Sequence, residues 1–246
     1  MAISIVGTPQ VGNTTNGGNV TLTFSPAPSE NDYVLVFGGC SYGAVVADAG
    51  TGYTRISLAG DGFNISFGVW IKKMSASPDT TVLCRGNANT SAATAYGCYV
   101  LRGVDGTTPQ DATATTASSN SGSPNCASIT SVTNLAWVLA LAGSDVNDAS
   151  IGTVSGYSNQ YTTVGVDTNS ITVAGTTLEK TTAGAEDPAA WSSWGSGKWY
   201  AVTVALRPAA SGWTNIVKVN GIASTSISKV NDIAVASISK INGIAV

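Results

Sequence analysis

The chain has 246 residues, of which 10% are charged and 43% hydrophobic, with 28 glycines; soluble domains usually carry about 25% charged residues. Histidine is absent, which excludes Ser-His-Asp and Cys-His nucleophile systems, histidine metal sites and a histidine switch near neutral pH. The 11 basic and 14 acidic side chains gather into no patch able to neutralise several phosphates, so nucleic acid is not an expected partner.

From Met1 to Gln10 there is no basic n-region, and the apolar run is too short for a signal peptide. Nothing downstream approaches eighteen consecutive apolar residues, so no membrane insertion is expected. The reading is of a chain made in the cytosol and released, if at all, by lysis. After that start, period-2 alternation recurs along the chain and predicts strands. Val20, Leu22 and Phe24 alternate with threonines. Tyr33, Leu35 and Phe37 alternate with Val34 and Val36, and Ile65, Phe67, Val69 and Ile71 with Ser66, Gly68, Trp70 and Lys72. Val82 with Cys84, and Tyr96 with Cys98 and Val100, continue the series.

Turn-forming stretches separate these segments: Asn13 to Asn19, Asp48 to Tyr53, Asp61-Gly62 and Gly103 to Thr107. Thr107 to Ser128 is mostly Thr, Ala, Ser and Asn, and reads as a polar excursion with at most a short strand. Leu135, Trp137, Leu139 and Leu141 line one side of the next segment, whose other side, Ala136, Val138 and Ala140, is also apolar. That is a central strand covered on both faces. Tyr200, Val202, Val204 and Leu206 close the series before Arg207-Pro208. The expected fold is all-β, a two-sheet antiparallel sandwich of jelly-roll type over residues 1–207.

Residues 208–212 (PAASG) read as a linker, and 213–246 as a separate segment with three units at a period of eleven: IVKVNGIA from Ile216, ISKVNDIA from Ile227 and ISKINGIA from Ile238. An eleven-residue period also suits a right-handed coiled coil. The abundance of Ile, Val and Ser, and an Asn-Gly or Asn-Asp at the same place in each unit, favour hairpins instead. A two-residue turn at Asn231-Asp232 would pair Val230 with Ile233. One small ribbon cannot shield its apolar side in water. The segment is therefore expected to associate, with copies of itself in a homotrimer as the preferred solution; docking on another protein and folding back on the sandwich are the alternatives. Ile216, Val219, Ile222, Ile227, Val230, Ile233, Ile238, Ile241 and Ile244 are the candidate contact residues, with the lysines at 218, 229 and 240 turned outward.

Three further features are candidates for chemistry. Trp191, Trp194 and Trp199 form the densest aromatic cluster in the chain. They read either as an exposed sugar-stacking platform or, preferably, as packing at the sandwich edge. Asp145 with Asp148, and Glu186 with Asp187, are the close acidic pairs. Both lie in expected loops and read as turn caps, and the glycine and distal glutamate of an EF-hand loop are missing. Cys40, Cys84, Cys98 and Cys126 are widely spaced, without a C-x-x-C pair, and read as small buried hydrophobes. No catalytic constellation, cofactor fingerprint or metal site is expected.

The ordered segments NDYVLVFGG (31–39), GYTRI (52–56), FGVWIKKMSASPDTTV (67–82), YVLRGVDGTTPQD (99–111), LAWVLALAGSD (135–145), GYSN (156–159) and WYAVTVALRP (199–208) resemble a family of β-sandwich virion proteins of tailed bacteriophages and prophages. The KVNGIA units are similar to C-terminal repeats of phage tail and appendage proteins. Tyr53, where that pattern has tryptophan, and Asp232, in place of glycine, depart from it. The resemblance implies a non-enzymatic structural or adhesive component on the exterior of the particle, either a capsid decoration or head fibre or a piece of a tail fibre. Its implied partners are other virion proteins. A carbohydrate-binding module for host-surface glycan is the alternative.

Overall fold

The computed structural model describes residues 2–42, 48–61, 63–86 and 89–210, together with six two-residue strands between 218 and 245. All regular structure among them is β, and every strand pairing is antiparallel. Two main sheets carry the fold. In the first, β1 (Ser4–Ile5) and β2 (Gln10–Thr14) pair with β9 (Thr94–Arg102), followed by β4 (Tyr33–Ser41), β7 (Ile65–Lys73) and β6 (Thr54–Gly60). The second runs β10 (Gln110–Ser119), β16 (Trp199–Leu206), β12 (Ala136–Ser144), β14 (Ile171–Lys180) and β13 (Ser158–Gly165).

The sheets pack face to face through Tyr33, Leu35 and Phe37 of β4 and Phe67 and Val69 of β7 on one side. Leu139 and Leu141 of β12, Val173 of β14 and Val202 and Val204 of β16 meet them from the other. Val34 and Val36, on the opposite face of β4, are equally buried, because a third sheet covers them. It runs β3 (Val20–Thr23), β8 (Thr81–Arg85), β5 (Asp48–Ala49), and contributes Val20, Leu22, Val82 and Cys84. The outer face of the second sheet is covered in turn by loops and by the ribbon of β11 (Ile129–Ser131) with β15 (Gly184–Glu186). Strands apolar on both faces demand cover on both faces, and this protein provides it with four layers.

Several expectations need correction. The first main sheet is drawn from residues 4–102 and the second from 110–206, and in the N-terminal half the chain passes back and forth between the first main sheet and the third, so the packing partner of the second main sheet is not the sheet with which the first exchanges strands. The stretch expected to be a polar excursion contains the ten-residue β10, which pairs with β16 from Gln110↔Leu206 to Ser119↔Trp199. As an edge strand it is only half-buried, so alanine and threonine suffice for its inner face. Leu135 precedes β12 at φ +62° and is partly exposed, so it is a turn residue outside the apolar row. The body also outlasts Arg207: Pro208 bridges to Val104, and the Ala209 N–H donates to the Gly103 carbonyl. Of the linker expected at 208–212, residues 211 and 212 lie outside the described residues.

Polar groups that enter the layers are paired. The Asp32 side chain, 2% exposed, accepts two hydrogen bonds from Arg102, Nε to Oδ1 and Nη2 to Oδ2 at 2.8 Å each, and a third from the Ser29 N–H. Arg102→Ala strands this carboxylate. A fully buried broken pair costs ~3–5 kcal/mol, but half of the Arg102 side chain lies in water, so the expected loss is about 2 kcal/mol. Urea unfolding measures it, and adding Asp32→Asn to that variant is expected to recover part of the loss.

Candidate functional site

The tryptophan cluster sits on the outer face of the second main sheet. That face is paved with Ala140, Ala142, Ala174 and Ala201, a shallow surface that leaves room for large rings. Trp191 and Trp194, from the loop between β15 and β16, lie over it edge to face, with centroids 5.3 Å apart and planes at 86°. Trp199 opens β16 and donates its indole N–H to the Ser121 carbonyl at 3.1 Å. The three residues are 2%, 6% and 6% exposed. A stacking platform must offer a ring face to the ligand, so the sugar-binding expectation for Trp191, Trp194 and Trp199 is corrected: these rings face inward.

The acidic pairs hold this region together. Asp148 accepts the Gly195 N–H at 2.7 Å and the Ser150 N–H at 3.0 Å, while Asp145 accepts the Lys198 N–H at 2.7 Å. The two carboxylates therefore clamp both ends of the Gly195–Lys198 segment that follows the tryptophans. Gly197 lies so close to the Asp145 carboxylate and Val146 that a Cβ would collide with them. Burial, chiefly, raises the Asp145 pKa; the hydrogen bond from Lys198 opposes this, and the charge of Asp61 adds to it. Asp61 behaves oppositely. Its partial burial is outweighed by the N–H groups of Phe63, Asn64 and Ile65 at 2.8–3.2 Å and by the Lys198 ammonium at 3.0 Å, which hold it well below the usual carboxylate range. In the second pair, Glu186 binds Lys180 at 3.1 Å and accepts a long hydrogen bond from the Tyr157 hydroxyl.

Among the described residues, no group of three or more Cys, Asp or Glu side chains could hold a metal ion. All four cysteines are buried and none is in a disulfide; loss of solvation pushes Cys40 up to about 11 and Cys98 and Cys126 up to about 12. No helix among the described residues is long and apolar enough to cross a membrane.

The second candidate region is the C-terminal array. β17 (Lys218–Val219) pairs with β18 (Ile222–Ala223), β19 (Lys229–Val230) with β20 (Ile233–Ala234), and β21 (Lys240–Ile241) with β22 (Ile244–Ala245). The register repeats with the sequence: Val219↔Ile222, Val230↔Ile233 and Ile241↔Ile244 are directly opposite. In the sequence two residues separate the paired strands each time, Asn220-Gly221, Asn231-Asp232 and Asn242-Gly243, and lie outside the described residues. Of the nine candidate contact residues, six occupy these strands; Ile216, Ile227 and Ile238 lie outside the described residues.

No protein-family model, curated protein or solved structure matches the chain.

Proposed function

We propose that this protein is a non-enzymatic structural component of a tailed-bacteriophage virion, displayed on the outside of the particle and joined to copies of itself, as a homotrimer, through its C-terminal hairpins. The observation that carries the reading is the array: three hairpins at one period and one register, attached to a body that buries its own main sheets. Such short ribbons gain stability only when something covers their apolar side. Sister chains offer a matching surface at each repeat, with Ile and Val along a common axis and the lysines outward. The resemblance of residues 1–208 and of the KVNGIA units to phage particle proteins supplies the setting. A structural role also accords with the acidic pairs, in which Asp145, Asp148 and Glu186 each hold a loop or strand neighbour in place.

Immunogold labelling of particles purified from a lysate that contains this chain tests the reading. Gold is expected at fixed positions on intact particles, on the head for a decoration or head fibre, or on the tail for a fibre component. Unlabelled particles, with the chain recovered only in the soluble fraction, would refute it.

A further inference from the structure

We propose that the end of the sandwich opposite Ala210, the last described residue of the body, carries a binding site for a neutral saccharide. The register of β12 with β16 sets the two ends, with Ser144↔Trp199 at one and Trp137↔Leu206 at the other. At about 3.3 Å per residue, the eight residues of β16 separate them by roughly 25 Å. The chain leaves for the tail beyond Leu206, past Ala210. At the far end, three loops that are remote in sequence converge on a depression of about 230 Å³, room for a single sugar ring. Asn64 comes from the β6–β7 turn, Asp145 and Asn147 from the segment after β12, and Thr168, Asn169 and Ser170 from the β13–β14 turn.

The chemistry of the lining selects the ligand. Amides, hydroxyls and one carboxylate can both donate to and accept from adjacent sugar hydroxyls. No lysine or arginine lines the depression. Lys198, whose charge acts on Asp145, is bound to Asp61 at 3.0 Å, and Asp148 is engaged with Gly195. With Asp145 in the wall and no uncommitted cation beside it, phosphate, sulfate and acidic sugars are disfavoured. Two exposed aromatic residues belong to the same end of the sandwich: Phe63, next to Asn64 in the β6–β7 turn, is 76% exposed, and Tyr42, 47% exposed, donates its N–H to the Asn64 carbonyl at 2.8 Å. An exposed ring at the same end as a polar pocket suits the C–H face of a sugar.

The groups are held in place beforehand, which lowers the entropy lost on binding. The Asp61 carboxylate accepts the Phe63, Asn64 and Ile65 N–H groups and, at 2.8 Å, the Asn64 Nδ2. Asn169 donates its Nδ2 to the Ser91 carbonyl at 2.9 Å, and its backbone carbonyl accepts a hydrogen bond from the Ser41 hydroxyl. Both asparagines thus keep their amide oxygens for ligand hydroxyls, and the exposed Asn147 offers its whole amide. The proposed function enters only through the tail, which as the attached end would leave this end facing outward; several weak sites per assembly would then add through avidity.

The test uses the full chain on an array of neutral oligosaccharides of hexoses, N-acetylhexosamines and deoxyhexoses, with sulfated and sialylated glycans as the charged arm, followed by titration calorimetry with the best binder. Phe63→Ala and Asn147→Ala, at exposed positions, are each expected to weaken binding at least tenfold with unfolding temperature unchanged. Val132→Ala, at the tail end and also exposed, should leave affinity unaltered. The proposal is overturned if no neutral glycan binds, if only charged glycans bind, or if both variants bind as wild type does. The oligomeric state is read separately by sedimentation, so failure of this site and failure of the assembly reading give different results.

Discussion

A chain ending at Ala210 is expected to sediment as a monomer, and the full chain as a trimer. The shortened chain should stay folded, because the contacts that close the body lie before the cut. Arg207 Nε reaches Asp111 at 3.2 Å, Pro208 bridges to Val104, and the Ala209 N–H binds Gly103. A cut after Arg207 would sacrifice the last two, so the outcome would mix assembly with stability. In the proposed trimer, assembly would rest on six β-branched residues per chain, the opposed pairs of the three hairpins. Full burial contributes about 1.5–3 kcal/mol for each, against an association cost of roughly 4–15 kcal/mol. One hairpin per chain contributes about 3–6 kcal/mol, at the low end of that cost, whereas three contribute about 9–18 kcal/mol. Replacing Val219, Val230 and Ile241 together with serine is expected to dissociate the trimer as completely as the cut does. Sedimentation velocity over a hundredfold range of concentration is the measurement, and a full chain that stays monomeric throughout would end the assembly model.

Trp191→Ala is expected to cost about 3–5 kcal/mol of folding stability, the usual range for removing a buried large aromatic side chain. The ring is 2% exposed and packed on Trp194 and the alanine face of the second main sheet. Its indole N–H has no hydrogen-bond partner among the described residues, so Trp191→Phe should cost far less than the alanine variant. Trp199→Phe, in contrast, loses the bond to Ser121. Urea unfolding of the three variants separates the two uses of these rings. A residue that serves only as a binding platform changes stability by no more than about 0.5 kcal/mol when replaced, and that result for Trp191→Ala would contradict the packing described above.

The strands legible from alternation were those whose partners are large and β-branched. β3 shows the pattern plainly, with Val20 and Leu22 buried and Thr21 and Thr23 exposed. β14 (ITVAGTTLEK) escaped notice because much of its buried surface is threonine, and composition alone marks threonine as a surface residue. In the folded protein the Thr172 hydroxyl donates to the Val146 carbonyl and that of Thr176 to the Ser158 carbonyl, each at 2.7 Å, which removes the penalty for burying them. The saccharide site had no signal in the sequence. Asn64, Asn147 and Asn169 are separated by 83 and 22 positions, and each alone looks like an ordinary turn residue.

What the sequence determined by itself was local. The β character of the chain follows from period-2 alternation, and the tail hairpins from a two-residue turn between β-branched neighbours, and neither depends on anything more than a few residues away. Only the tertiary structure decided which face of each sheet is covered twice, which way the tryptophans point, and which loops meet at the end remote from the tail. Those outcomes depend on surfaces brought together from distant parts of the chain, where burial follows from the partner layer as much as from the residue itself.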